Sequence, residues 1–278
     1  MHSICSRRNL LKVASALVPM QALNLLLPSI DFNGGNLRLP IADTFPGHPP
    51  ELVREMVTVS HFDLKRVKEL VEARPALARA AWDWGFGDWE TSLGAASHMG
   101  NRPIAEYLIA QGARPSLFSA TMLGQLDVVK AFVGAQPGVQ RIRGPHSISL
   151  LAHAKAGGAG ARGVYDFLHS LGDADSDPEA PLSNEDRARL LGTYTFGISA
   201  SQSIEVTLEH NRLLQTDQLT WTRKGTTGRP LYHLGEYAFY PAGAREVRIR
   251  FADRDNTVTM SIVDADLQLT AQRMQPAK

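Results

Sequence analysis

Residues Thr91–Ala113 read TSLGAASHMGNRPIAEYLIAQGA, and the spacing within them sets the architecture of the N-terminal half. Leu93, Ala95 and Ala96 make a short helix whose small side chains let a neighbouring element approach closely. Gly100 ends that helix at a position that calls for positive φ. Ile104, Tyr107, Leu108 and Ile109 then fall on one face of a second helix at 3.6-residue spacing, and Gly112 closes it.

This helix–turn–helix resembles the ankyrin repeat, T-P-L-H-x-A-x-x-G-x-x-x-(I/V)-x-x-L-L-x-x-G-A, with Ser92 where proline is usual and Gly94 where histidine is usual. Weaker copies flank it. Phe62–Leu70 reads as the second helix of a copy opening near Leu52. Ser119–Lys130 is another copy, and Leu150–Gly157, ending at Gly172, is the last. One such unit cannot bury its apolar face alone, so a stack of about four irregular repeats over 51–175 is expected. In ankyrin arrays the connections between repeats project toward a concave recognition face, and the resemblance implies binding of a partner through it.

The lengthened connection before the best repeat is Ala81–Glu90, AWDWGFGDWE, with three of the chain's four tryptophans. Trp82, Asp83, Trp84, Phe86, Asp88, Trp89 and Glu90, with His98 on the following helix, are the candidate binding residues. Their rings and carboxylates suit an amphipathic partner, a cation or a sugar if exposed, and a small local core if folded back. Both readings stay open on the sequence. His98 and His153 read as surface or helix-terminal histidines, because a metal site needs three or four converging ligands, and neither a metal nor another cofactor is expected. Asp173–Glu179 (DADSDPE) lacks the glycine and the closing glutamate of a calcium loop and reads as an acidic linker.

The chain begins with Ser6-Arg7-Arg8-Asn9-Leu10-Leu11-Lys12 and then VASALVPMQALNLLL. This resembles a twin-arginine export signal over residues 1–30, with Arg7 and Arg8 as its defining pair. The resemblance implies a bacterial protein exported to the periplasm; the alternative is an uncleaved anchor in the inner membrane. Loss of Arg7, Arg8 and Lys12 would change the formal net charge from +1 to −2, which speaks against nucleic acid as a partner. The lone Cys5 lies in the same segment, so disulfides and thiolate chemistry are not expected of the rest. Residues 31–50, rich in Pro and Gly, read as an extended lead-in.

After a linker at 176–187, which carries the start of a capped helical turn at Ser183–Leu191, the periodicity changes from 3.6 to 2. Candidate strands are Gly192–Gly197, Ser203–Glu209, Arg212–Gln215, Leu219–Arg223, Leu231–Tyr240, Glu246–Phe251, Thr257–Val263 and Asp266–Ala271. Eight short strands at hairpin spacing predict an up-and-down antiparallel barrel or a closed sandwich over 188–278. The fold class expected is therefore α+β in two parts, an ankyrin-repeat α-solenoid followed by a small antiparallel barrel or sandwich. The stretches LLGTYTFG, LYHLGEYAFYPAG and VRIRFADRDNTVTMSIV resemble the lipocalin-like modules that follow β-lactamase-related serine hydrolases. The Ser-x-x-Lys of those hydrolases does not occur here, so no catalytic residue is carried across.

No G-x-S-x-G, H-E-x-x-H or phosphate loop with lysine is found, and no catalytic residue is expected. The expectation is a non-enzymatic binder of a protein partner in the cell envelope, acting through the concave face and the loop 82–90. The alternative is a binder of a small apolar ligand, or a hydrolase accessory, using the barrel interior.

Overall fold

Short polar side chains start most of the helices. Asp63, Thr91, Asn101, Ser116 and Ser149 each accept a hydrogen bond from a backbone N–H in the first turn of the helix that follows. The helices they open come in pairs: α1 (Pro50–Val59) with α2 (Leu64–Ala73), α3 (Ser92–His98) with α4 (Arg102–Ala110), α5 (Leu117–Met122) with α6 (Leu126–Ala135), and α7 (Leu150–Ala156) with α8 (Arg162–Ser170). The computed structural model describes residues 44–175, 179–197, 202–211, 216–254 and 257–274. The export signal, the lead-in up to residue 43 and the expected strand Arg212–Gln215 lie outside the described residues. Residues 46–278 form one compact unit that contains both the helical pairs and the barrel.

The helices bury two apolar clusters. One gathers Met56, Val67, Leu70, Leu93, Ile104 and Leu108, and the other Leu117, Val129, Leu150, Val164 and Leu168. Ala95 and Ala96 are fully buried, as close helix packing requires. Gly100 has φ +69°, and a Cβ there would lie 2.1 Å from the carbonyl oxygen of Ala156, so the turn between α3 and α4 rests directly on the end of α7.

The aromatic connection is more ordered than a loop. Ala81–Asp83 (β1) and Trp89–Thr91 (β2) pair antiparallel, with Trp82 opposite Glu90. Its tip carries three successive positive φ values, at Gly85 (111°), Phe86 (56°) and Gly87 (76°). A phenylalanine in that region is strained and is held only by what surrounds it.

The C-terminal part is a closed eight-stranded antiparallel barrel. Its strands are β3 (Gly192–Thr195), β4 (Ser203–Asn211), β5 (Thr216–Arg223), β6 (Arg229–Gly235), β7 (Ala238–Pro241), β8 (Arg248–Arg254), β9 (Thr257–Asp264) and β10 (Leu267–Arg273). Each pairs with its neighbour in sequence, and β10 closes on β3 through Gln272↔Thr195 and Arg273↔Tyr194. The up-and-down expectation holds, including the alternation of buried Val247, Ile249 and Phe251 with the more accessible Arg248 and Arg250. The expected single strand Leu231–Tyr240 is in fact two, β6 and β7, turned at Glu236 and Tyr237 with φ of 49° and 54°. Such turns normally announce themselves by Asn-Gly or Asp-Gly. Here the Tyr237 hydroxyl, donating to Asp186 Oδ1 at 2.6 Å, holds the turn instead. Helix α9 (Asn184–Leu190), capped by Ser183, sits at the start of the barrel and buries Leu190 in its core.

Candidate metal centre

The hairpin β1–β2 turns Glu90 inward, where it is fully buried, and leaves Trp89 on the opposite face, 64% exposed. Alternation along the strand separates the two. Three histidines close around the Glu90 carboxylate. His61 comes from the turn after α1, His98 is the last residue of α3, and His146 lies in the segment between α6 and α7. His98 Nε2 is 3.0 Å from Oε1, while His146 Nε2 and His61 Nε2 are 3.4 Å and 3.5 Å from Oε2. One ligand atom from each of the four residues lies within 4.8 Å of all the others.

None of these imidazole–carboxylate contacts is an aligned hydrogen bond. At 3.0 Å, Glu90 Oε1 lies off the N–H axis of His98, and both ring nitrogens of His98 and Oε1 are buried without a hydrogen-bond partner among the described residues. Groups facing one another so closely without pairing converge on a shared point. A tetrahedral ion with bonds of about 2.0–2.1 Å sets its ligand atoms roughly 3.4 Å apart.

The surrounding groups orient the ligands. His61 Nδ1 donates to the carbonyls of Thr58 (2.9 Å) and Val57 (3.1 Å), which leaves the Nε2 lone pair facing the cluster. His146 Nδ1 lies 2.8 Å from Asp88 Oδ2, and the same carboxylate accepts the His146 backbone N–H at 2.9 Å. The indole of Trp84 donates to Glu90 Oε2 at 2.8 Å. His146 and Ser147 sit at φ 58° and 61°, a second strained pair beside the site.

The barrel completes this shell. Buried Arg229 donates to Asp88 Oδ2 (3.3 Å), to the Ala242 carbonyl (2.6 Å) and to the Gly85 carbonyl (3.0 Å). The N–H of Gly243 donates to Ser147 Oγ at 2.8 Å. A Cβ at Gly243 would fall within 2.5 Å of all three carboxyl atoms of Asp88, so glycine is required for that carboxylate to seat.

Charge follows from this packing. Burial disfavours ionised Glu90, but His146 and His98 outweigh it and hold the carboxyl well below its usual range. Burial likewise opposes charge on His146, yet the hydrogen bond to Asp88 and the nearby Glu90 carboxylate prevail and push it up to about 9. Burial pushes His153 down to about 4; its Nδ1 is held by the Ser149 carbonyl and its ring lies 6.5 Å from that of His98. Burial also lowers His61, against the pull of Glu90.

These directions fix a pH dependence for chelator-treated protein. The folded value of His146 exceeds its ordinary 6.5, so its contribution is complete below about pH 6.5 and is lost as pH rises through about 9. For His153 the folded value is the lower one, so stability is lost as pH falls from 6.5 toward about 4. The melting temperature is expected to peak near about pH 6.5 and to fall on both sides. A melting temperature that climbs from about pH 7 to 9 would contradict the His146–Asp88 pair.

Of the residues singled out in the sequence, Trp84, Asp88, Glu90 and His98 come together here. Phe86 instead packs on Trp221 of the barrel (ring centroids 5.7 Å), Trp82 joins the helical core, and Asp83 Oδ1 accepts from the Gly85 N–H at 2.8 Å. His98 is helix-terminal, as expected, but it is not a surface residue, being 5% exposed. His61 and His146 carry no mark in the sequence as ligands, because they lie 29 residues before and 56 residues after Glu90. Asp173 and Asp175, from the acidic linker, are tied to Arg141 (2.9 Å) and Arg143 (3.2 Å). No protein-family model, curated protein or solved structure matches this chain.

Proposed function

We propose that the protein binds a first-row divalent transition-metal ion through His61, Glu90, His98 and His146, and that the ion ties the β1–β2 hairpin to the turn after α1, to the end of α3 and to the segment between α6 and α7. The observation that carries this is the convergence of three imidazole Nε2 atoms on one buried carboxylate at 3.0–3.5 Å with no aligned hydrogen bond among them. Three nitrogens and one oxygen form a borderline donor set without thiolate, which suits zinc at tetrahedral spacing. Asp88 on His146 and the backbone carbonyls on His61 are the partners that metal-bound imidazoles ordinarily keep. This is a binding function rather than a catalytic one. Equilibrium dialysis of untagged protein against Zn²⁺ is expected to retain one ion per chain at low micromolar free metal. Retention of none would remove the proposal.

We read the paired helices as ankyrin repeats, supported by the turn glycine at φ +69° in Gly100 and by the hairpin that precedes α3. A partner-binding role through this array is a second reading, favoured by the 64% exposure of Trp89 on the outer face of that hairpin. Recovery of the same envelope proteins by wild type and Trp89→Ala would remove Trp89 from that role. Export through residues 1–30 belongs to the same reading, and a fusion of residues 1–35 to a reporter that stays cytoplasmic would overturn it.

A further inference from the structure

The inside of the barrel is filled along most of its length by Tyr194, Phe239, Phe251 and Met260, each 5% exposed or less. At one end the filling stops, and a cavity of about 320 Å³ opens between Ile204, Trp221, Ile262 and Leu269. Leu269 lies directly opposite Ile262 in the β9–β10 ladder and so shares the inner face with it, yet Leu269 is 38% exposed. Inner-face leucines of a closed barrel are normally covered by other side chains. Here the apolar wall is left open.

Three further observations say what belongs there. Trp221 is 8% exposed, and its Nε1 finds no hydrogen-bond partner among the described residues, an arrangement costly to leave unmade. Arg223 lies two residues on along β5, opposite Ile204, on the same inner face and at the rim of the cavity. No ion pair is found for it among the described residues. The third wall is not made by the barrel at all. Phe86, strained at φ 56° between two left-handed glycines, reaches from the helical part to pack its ring, tilted by 40°, with its centroid 5.7 Å from that of Trp221. Strain of this kind persists only where surrounding structure fixes it, and it gathers where ligands are held.

We propose that this end of the barrel, closed by Phe86, binds a small anionic amphiphile, an organic acid with an aliphatic or aromatic body. Its apolar body lies against Ile262, Leu269 and Trp221. Its acid group meets the Arg223 guanidinium, and an acceptor oxygen takes the Trp221 N–H. The cavity shares no lining residue with the His61–Glu90–His98–His146 cluster.

The test uses the full chain with 1-anilinonaphthalene-8-sulfonate as a fluorescent anionic probe. Decanoate and decyltrimethylammonium, with the same tail and opposite charge, serve as competitors. Wild type is expected to bind the probe saturably and to release it to decanoate at least about tenfold more readily than to the cation, the ratio a charge-assisted contact supports. Arg223→Met is expected to bring the two competitors within about twofold of each other, since it removes the charge and keeps the bulk. Leu269→Arg, at an accessible position, is expected to abolish saturable binding with the far-ultraviolet spectrum unchanged. Equal displacement by both competitors in wild type, or probe binding untouched by Leu269→Arg, overturns the proposal.

Discussion

A Glu90→Gln variant is expected to lose at least about a hundredfold in Zn²⁺ affinity while still folding. Loss of a partner that only orients a ligand already costs roughly 10- to 100-fold, and Glu90 is the one anionic ligand and the point on which all three imidazoles converge. Glutamine keeps the shape and an oxygen able to accept from the Trp84 indole, so the hairpin keeps its anchor. It removes the charge that a divalent ion and two histidines share. The comparison that decides is the rise in melting temperature on adding Zn²⁺, measured for wild type and variant at one pH. At free metal a hundredfold above Kd, wild type gains about 2.7 kcal/mol by mass action alone, and the variant gains little. An equal rise in both proteins would place the ion elsewhere. His98→Ala tests the same centre from the helix side and is expected to behave alike.

Asp88→Ala is expected to be the most destabilising change at the seam, by about 3–5 kcal/mol, the range for removing one partner of a buried ion pair. The substitution strands Arg229, which is 8% exposed, and it also removes the acceptor that holds His146 and its strained backbone. The loss should be partly restored by the double variant Asp88→Ala/Arg229→Met, because deleting both charges is milder than orphaning one. If the double variant is no more stable than the single one, the Asp88–Arg229 contact is not what the seam depends on. Zinc affinity should also fall in Asp88→Ala, by roughly 10- to 100-fold, since His146 then lacks its orienting carboxylate. Denaturant titration gives the first quantity and competitive chelation the second.

The two halves of the molecule were legible in the sequence to different depths. Barrel strands could be read because alternation in stretches such as Val247–Phe251 is a local signal that the sheet then uses unchanged. The turn between β6 and β7 could not, because Glu236 and Tyr237 adopt left-handed backbone without glycine and are held there by a contact to α9. Helix positions followed from the capping residues and turn glycines around Thr91–Ala113. The loop 82–90 showed its composition but not its direction. Strand pairing at Trp82↔Glu90 decides that Glu90 faces inward and Trp89 outward.

What the sequence determined by itself is periodic and local: helices of 3.6 spacing around Thr91–Ala113, strands of period 2 after Gly192, and the residue types available for chemistry. What only the tertiary structure decided is which of those residues meet. His61, Glu90, His98 and His146 are spread over 86 positions, and no spacing rule joins them, because the packing of the hairpin among the helices brings them together rather than any one element. The same packing buries His98 at the end of its helix and sets the segment Thr91–Ala113 with its first helix ending at the histidine–glutamate cluster.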